Sequence, residues 1–150
     1  MTAPLRIDVV ILPHGEGLPL PFYATEGAAA MDLYAAIEST VVIVPHDRVL
    51  IPTGLRVALP PNHEWQLRSR SGLTLKEGVV VANSPGTIDE DYRGEVGIVL
   101  LNTTRAAYTV RRGDRVAQAV LAPVVRGKFN VVSVLPDTLR GQGGFGSSGR

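Results

Sequence analysis

An acidic run on one short stretch carries the residues best suited to chemistry. From Gly86 to Glu95 the sequence is GTIDEDYRGE, in which three consecutive carboxylates are followed by Tyr92 and Arg93. A carboxylate can orient and polarise a water molecule for attack on a substrate, which makes Asp89 a candidate general base. Acidic turns are also common on solvated surfaces, so the run by itself leaves both interpretations open.

Calcium binding is the competing chemistry for this run. Asp89, Asp91 and Gly94 match positions one, three and six of an EF-hand loop. Position five is Arg93, however, and position twelve is Leu100, where a bidentate Glu is needed. No flanking helices are predicted either, so the sequence excludes an EF-hand.

Two further groups have the composition of a phosphate site. Residues 68–74 (RSRSGLT) combine two arginines with hydroxyls and a glycine turn. Guanidinium groups, hydroxyls and main-chain N–H groups all bind phosphate. Gln118 is a lone amide in the apolar run 116–121, where its amide needs hydrogen-bond partners. A basic strand end and a structurally satisfied amide are the alternatives to ligand binding.

The C-terminal residues 140–150 (RGQGGFGSSGR) contain five glycines and cannot build a core of their own. We expect this tail to be mobile in the free protein. Arg140, Ser147 and Ser148 are candidate phosphate ligands, and Phe145 offers a flat surface for a base.

Composition narrows the function classes. The 150 residues fit one domain, residues 1–150, and the lack of cysteine excludes disulfides, thiolate zinc sites and cysteine nucleophiles. Fifteen basic residues against 14 acidic ones give a net charge of +1, which indicates no nucleic-acid partner.

The N-terminus lacks an export signal and the apolar runs are strand-sized, so we expect a cytoplasmic protein with no membrane partner. His14, His46 and His63 have no metal-like spacing, and we expect them in solvated loops.

Short β-branched runs bounded by Pro, Gly or Asn recur along the whole chain and must position these groups. Runs at this spacing predict an all-β fold, a sandwich, barrel or jelly roll. The predicted strands are 6–12, 40–44, 48–51, 54–59, 64–69, 79–82, 95–101, 115–122 and 131–135. The acidic run, which follows strand 79–82, is predicted to be the bend of a β-hairpin, and residues 68–74 lead into a turn. The segment 28–39 (AAAMDLYAAIES) does not show this strand pattern, because its residues favour a helix by propensity.

Five segments, taken in their order along the chain, resemble the five motifs of the trimeric dUTP diphosphatases (dUTPases). The segments are AMDL at 30–33, RSGL at 70–73, GTIDEDYRGE at 86–95, GDRVAQ at 113–118 and RGQGGFGSSG at 140–149. The third and fifth motifs are highly specific. The resemblance implies a jelly-roll subunit in a homotrimer, with each active site built from all three chains. It also implies that residues 31–35 form a strand and not a helix.

The resemblance further implies hydrolysis of dUTP to dUMP and pyrophosphate, with Mg²⁺, by attack of water on the α-phosphorus. Asp89 would activate that water, Tyr92 would lie under the deoxyribose, and Asp32 would face the metal through a water molecule. The uracil edge would be held by Asn83 and by the hairpin main chain from Gly86 to Tyr92, which includes Thr87 and Ile88. The phosphates would be bound by Arg70, Ser71, Gly72 and Gln118. A lid, residues 138–150, would close over the substrate with Arg140, Phe145, Gly146, Ser147 and Ser148.

Departures from the family pattern are mild. Glu90 stands where a small residue is usual, and Met31 occupies a variable site. Two other functions remain open from the sequence. A nucleotide-binding regulator of the same fold would keep the site without hydrolysis. A dCTP deaminase-like enzyme shares the fold but needs a catalytic Glu where this chain has Val99.

Overall fold

Ten β-strands and one short helix form the described part of the chain, residues 4–144 of this computed structural model. The strands are β1 (Asp8–Ile11), β2 (Met31–Tyr34), β3 (Val41–Ile43), β4 (Arg48–Ala58), β5 (His63–Arg68), β6 (Val79–Val81), β7 (Gly86–Ile88), β8 (Glu95–Asn102), β9 (Tyr108–Val110) and β10 (Arg115–Pro123). The helix α1 is Ser71–Glu77, and Pro13–Gly15 forms a 3₁₀ turn. No helix within residues 4–144 is long and apolar enough to span a membrane.

The strands form two four-stranded sheets and one small ribbon. The first sheet has the order β1-β4-β8-β6, the second has the order β2-β10-β5-β7, and β3 pairs with β9. All these pairs are antiparallel. The fold is a jelly roll, and the all-β prediction is confirmed.

Side chains from both large sheets form the core. Buried and half-buried residues alternate along β8, as expected for a strand with one face inward, and Ile98 is fully buried. Leu33 of β2 and Leu67 of β5 join the same cluster from the second sheet. Asn102 is also buried, and its amide donates to two main-chain carbonyls at 3.0 and 2.7 Å. Its polar atoms are therefore compensated, which burial requires.

Strand β4 replaces two predicted strands. The runs at 48–51 and 54–59 are one continuous strand with a shift in register between Pro52 and Arg56. Gly54 lies inside this irregularity with a φ of +70°, in the left-handed region that favours glycine. The irregularity bends the ladder without ending the strand, because β8 pairs mainly with its first half and β1 with its second.

The segment 28–39, whose propensity favours a helix, contains strand β2. This strand pairs with β10, and Met31 and Leu33 are buried while their neighbours are half-buried. Pairing and burial override local propensity here. The strand implied by the family resemblance is confirmed.

Two local predictions are wrong. Residues 131–135 form no strand, and their apolar side chains are exposed, with Val131 at 96% and Val134 at 79%. Residues 71–77 form helix α1 where a turn is predicted, and Gly78 ends it with a φ of +62°. The helix is too short to show an apolar pattern in the sequence, and of its seven residues only Leu73 and Thr74 are half-buried.

The acidic run connects the two sheets and is not the bend of a simple hairpin. Strands β6 and β8 pair with each other, with Val79 opposite Asn102. The chain between them leaves that sheet, and β7 pairs with β5 in the second sheet, with Ile88 opposite Trp65. Asp89 therefore lies where the chain begins its return from one sheet to the other.

A close contact between two glycines holds the β4 irregularity against the 3₁₀ turn. A Cβ on Gly54 would lie 2.4 Å from the Cα of Gly15, whereas Gly17, with a φ of +80°, has nothing within 4 Å of a Cβ. We expect Gly54→Ala to lower the free energy of unfolding by about 3 kcal/mol or more, through strain and overpacking together. Gly17→Ala should cost only about 1 kcal/mol, through strain alone. Urea unfolding at one protein concentration measures both losses, and equal losses would contradict the contact.

Candidate active site

A cavity of about 320 Å³ beside β7 collects one group of predicted site residues. The lining residues predicted from the sequence are Asn83, Gly86, Thr87, Ile88, Asp89 and Tyr92. Leu50, Leu67, Glu95 and Gly97 complete the walls. The structure thus brings these predicted residues together within one chain.

Strand β7 presents its main chain to this cavity. It is the outermost strand of its sheet, so one edge pairs with β5 and the other edge offers N–H and C=O groups outside the ladder. A Cβ on Gly86 would crowd the Nδ2 atom of Asn83 at 3.0 Å. A Cβ on Gly97 would lie 2.7 Å from Cδ1 of Leu50. The two glycines therefore keep the walls close without filling the cavity.

The ring of Tyr92 is held in one orientation. Its hydroxyl donates to the carbonyl oxygen of Glu95 at 3.0 Å. A Cβ on Gly94 would lie 2.3 Å from the same hydroxyl oxygen, so the ring packs directly on this glycine. Tyr92 is 42% exposed, which leaves part of the ring available to a ligand.

Glu95 ties the start of β8 to the irregularity in β4. Its Oε1 atom lies 2.7 Å from Nε2 of His14 and accepts a hydrogen bond from the main-chain N–H of Gly54 at 2.8 Å. His14, which we expect from sequence in a solvated loop, is instead half-buried against this carboxylate. Sequence reasoning misses the pair because 81 positions separate its members.

Asp89 is exposed and borders two cavities, the one at β7 and a second of about 580 Å³. The loop around it is held by its own hydrogen bonds. The carbonyl of Asp89 accepts from the N–H of Tyr92 at 3.2 Å. Arg93 Nη1 donates to the carbonyls of Glu90 at 2.7 Å and of Tyr92 at 2.9 Å. These bonds present the carboxylate of Asp89 from a defined loop.

The second group of predicted residues surrounds Asp32 on β2. The Oδ1 atom of Asp32 accepts from Arg70 Nε at 2.8 Å, and Oδ2 accepts from Arg115 Nη1 at 3.1 Å. Arg70 also donates to the carbonyl of Arg115 at 3.1 Å. Asp32 thus fixes the orientation of two guanidinium groups.

A cavity of about 610 Å³ opens beside this ion-pair cluster. Its lining is Tyr34, Arg70, Gly72, Leu73, Lys76, Glu77, Tyr108, Gly113, Asp114 and Arg115. Arg70, Lys76 and Arg115 supply donors that suit an anionic ligand, and their charges are balanced here by Asp32, Glu77 and Asp114. Burial raises the pKa of Tyr108, and the charges of Asp114 and Glu77 raise this pKa further. The phenol therefore stays protonated at neutral pH and remains a hydrogen-bond donor.

Gln118 supports the chain just before Arg70. Its Nε2 atom donates to the carbonyl of Ser69 at 2.8 Å, and the Ser69 hydroxyl oxygen accepts from the N–H of Val81 at 2.8 Å. The amide N–H of Gln118 therefore has a hydrogen-bond partner within the protein, which is the structural alternative to ligand binding. Ser71 is the first residue of helix α1, directly after this anchored strand end.

The two groups lie at opposite ends of the second sheet. Asp32, Gln118 and Arg68 are neighbours across β2, β10 and β5. Asp89 follows Ile88, which pairs with the other end of β5. The offset is four residues along the strand, about 13 Å, and three strands across, about 14 Å, which together give a separation of about 19 Å. One chain therefore does not bring Asp89 to Arg70.

The predicted metal site and the predicted tail residues are described less fully by the structure than the two groups above. Within residues 4–144, no cluster of three or more His, Cys, Asp or Glu side chains is placed to hold a metal ion. Arg140 is exposed and donates through Nε to the carbonyl of Gly143 at 2.8 Å. The other predicted tail residues lie outside the described part of the chain: Phe145, Gly146, Ser147 and Ser148.

Comparison with known sequences identifies relatives over almost the whole chain. The family model for dUTPase matches residues 16–149. A deoxyuridine 5'-triphosphate nucleotidohydrolase from Methylocella silvestris is 52% identical over 151 residues, covering 99% of this chain and 94% of that protein.

Solved structures with the same fold agree with this match. A mutant of the Staphylococcus bacteriophage 80alpha dUTPase with dUpNHpp has a TM-score of 0.86 and 25% identity, over 97% of this chain and 99% of that one. The 80alpha dUTPase with dUpNHpp has a TM-score of 0.85 and 26% identity over the same shares.

Proposed function

The chain belongs to the dUTPase family, and on that premise we propose that it hydrolyses dUTP to dUMP and pyrophosphate, with Asp89 orienting the attacking water. The observation that carries the proposal is the cavity at β7, where Asn83, residues 86–88 and Tyr92 meet beside Asp89. Such a cavity suits a nucleoside, which needs a few placed polar partners and a flat surface.

The free edge of β7 is the proposed partner of uracil. An edge strand can hydrogen-bond a ligand through the same N–H and C=O groups that would bind another strand. The amide of Asn83 adds both a donor and an acceptor. A main-chain wall also discriminates against thymine, because its extra methyl group would clash there, whereas an apolar pocket would reward the methyl.

Tyr92 is the proposed support for the deoxyribose. Its ring is fixed between the Glu95 carbonyl and Gly94, so it cannot move aside for a larger sugar. A ribose would bring a 2′-hydroxyl against the ring, where the hydroxyl loses its hydrogen bonds to water. This predicts selection for the deoxynucleotide.

The cluster around Asp32 is the proposed phosphate site. Arg70 and Arg115 offer guanidinium forks, which match phosphate oxygens in pairs. Ser71 and Gly72 begin helix α1 beside them and offer a hydroxyl and main-chain N–H groups. Gln118 contributes by holding the Ser69 carbonyl and thus the chain that leads to Arg70.

Mg²⁺ is the proposed cofactor, and Asp32 is suited to hold it through water. Both oxygens of Asp32 already accept from an arginine, which leaves further lone pairs for a water molecule and disfavours direct ligation. Mg²⁺ commonly keeps several waters and takes substrate phosphates as ligands, which fits this arrangement. When bound, the ion would neutralise charge on the triphosphate.

Asp89 is the proposed base for the attacking water. Its carboxylate accepts a hydrogen bond from the water and takes its proton as the oxygen bonds to the α-phosphorus. The bond from that phosphorus to the bridging oxygen breaks, and pyrophosphate leaves. Such a reaction depends mainly on positioning and charge stabilisation. An exposed carboxylate on a loop held by Tyr92 and Arg93 satisfies the first requirement.

A homotrimer with shared sites is part of the proposal. The separation of Asp89 from the Asp32 cluster supports it, because a second copy can supply the missing half. The C-terminal segment, residues 124–144, also supports it. Its side chains Val125, Phe129 and Val131 are at least 94% exposed. Apolar side chains in such a row favour burial against another chain. The role of the lid residues 138–150 stays a prediction.

A substrate panel tests the reaction as a whole. With Mg²⁺, we expect dUTP to be hydrolysed at least about 100-fold more efficiently than dTTP, dCTP or UTP. Measurement of dUMP and pyrophosphate follows the products directly. Binding of dUTP without products would favour a nucleotide-binding regulator instead. Deamination of dCTP would favour the deaminase-like alternative, although Val99 offers no proton shuttle.

Replacement of Asp89 tests the proposed base. Asp89→Asn should lower kcat by roughly two to four orders of magnitude while nucleotide binding persists, because the amide cannot take a proton. Asp91→Asn is the matched control, since it removes the same charge two residues away. Steady-state kinetics and dUMP binding measure both properties. Turnover near that of the unchanged protein would remove Asp89 from this role.

Mixed trimers test whether sites are shared. Asp89→Asn chains and Arg70→Ala chains should each be nearly inactive alone. After joint unfolding and refolding at equal amounts, about a quarter of the sites should contain both intact groups if they come from different chains. Activity that stays at the level of the separate variants, with mixed trimers shown by mass spectrometry, would place both groups in one chain.

A further inference from the structure

Glu90, the residue after Asp89, is tied on both of its carboxylate oxygens. Oε2 accepts from the main-chain N–H of Asn62, and Oε1 accepts from Arg126 Nη2 at 3.3 Å. The side chain of Glu90 is 30% exposed, so it lies against the protein and is not a free surface charge. The contacts join the loop of Asp89 to two distant parts of the chain.

The contacts of Glu90 are part of a closed loop of hydrogen bonds and chain connections. Asn62 has a φ of +60°, and its carbonyl accepts from the N–H of Val124 at 2.8 Å. Val124 directly follows the end of β10, and Arg126, two residues later, returns to Glu90. We call the four residues Glu90, Asn62, Val124 and Arg126 the Glu90 network. It holds the first residues of the C-terminal segment against the loop.

Most of the Glu90 network lines a cavity that shares Thr87 and Asp89 with the β7 cavity. Asp89, Glu90, Val124 and Arg126 all line the cavity of about 580 Å³, and Asp89 also lines the β7 cavity. Because Glu90 directly follows Asp89, the contacts of its side chain restrain the main chain that carries Asp89. Of the residues proposed for uracil and sugar, Thr87 lines both cavities, and none belongs to the network.

The ion pair in the network suggests an effect on turnover more than on stability. The side chain of Arg126 is 72% exposed, and pairs of this exposure contribute little to the free energy of unfolding. Reaction rates are far more sensitive, because small misplacements of a reacting group are costly.

We propose that Glu90 is a positioning residue that fixes the Asp89 loop against the start of the C-terminal segment. The packing of that segment against the loop then determines the orientation of the Asp89 carboxylate. This inference rests on the proposed function, in which Asp89 orients the attacking water.

Three variants test the network, and a fourth is their control. Glu90→Ala removes both contacts, and we expect kcat for dUTP to fall roughly tenfold while KM changes less than about twofold. Glu90→Gln keeps an acceptor for Asn62 and should recover much of the loss. Arg126→Gln should resemble Glu90→Gln. Glu64→Gln removes a charge from the same cavity outside the network and should leave kcat unchanged.

Hydrogen exchange separates this proposal from the proposed function. In Glu90→Ala, the amides of residues 89–93 should exchange faster, with the oligomeric state and melting temperature kept. An unchanged kcat and unchanged exchange in all three network variants would overturn the inference, as would a loss that appears in KM alone. If the unchanged protein fails to hydrolyse dUTP, the proposed function fails, and exchange still decides whether Glu90 holds the loop. If Glu90→Ala does not fold, Glu90→Gln and Arg126→Gln decide.

Discussion

The pairing of β7 with β5 is the constraint on which the rest of the site depends. Only three residue pairs make it, with Gly86, Thr87 and Ile88 opposite Leu67, Gln66 and Trp65. They draw the acidic run out of the hairpin that β6 and β8 would otherwise close. As a result, β7 becomes an edge strand whose outer groups face a cavity instead of a neighbouring strand. The proposed recognition of uracil by main-chain groups depends on this edge position.

The same sheet keeps the two halves of the site apart. Strand spacing is a property of the hydrogen-bond ladder, so no side-chain change brings Asp89 on one end to Asp32 on the other. In the proposed homotrimer, a second copy of the chain would complete the site. The exposed apolar residues after Pro123 offer a surface for that association. Assembly is then part of the active-site geometry and not only a source of stability.

The sequence predicts those parts of the fold whose cause is local. Alternating β-branched runs predict most strands correctly, because burial of one face needs only a period of two. Prediction from local pattern is wrong where pairing with a distant strand determines the secondary structure, as in segment 28–39. It is also wrong where the element is too short to show a pattern, as in α1. Residues 131–135 have a strand-like composition, but a strand also needs a partner. The site residues are predicted through motif order, whereas their division into two groups and the His14–Glu95 pair depend on the folded sheets.

Asp89 differs from three neighbouring carboxylates in the donors that surround them. Asp32 accepts from two arginines, Glu95 is held by His14 and a main-chain N–H, and Glu90 accepts from Asn62 and Arg126. Donors on a carboxylate hold it in place and offset its charge. They also lessen its repulsion of an incoming triphosphate. These three carboxylates are compensated by donors, while Asp89 stays exposed at the junction of two cavities, where a water molecule can reach it.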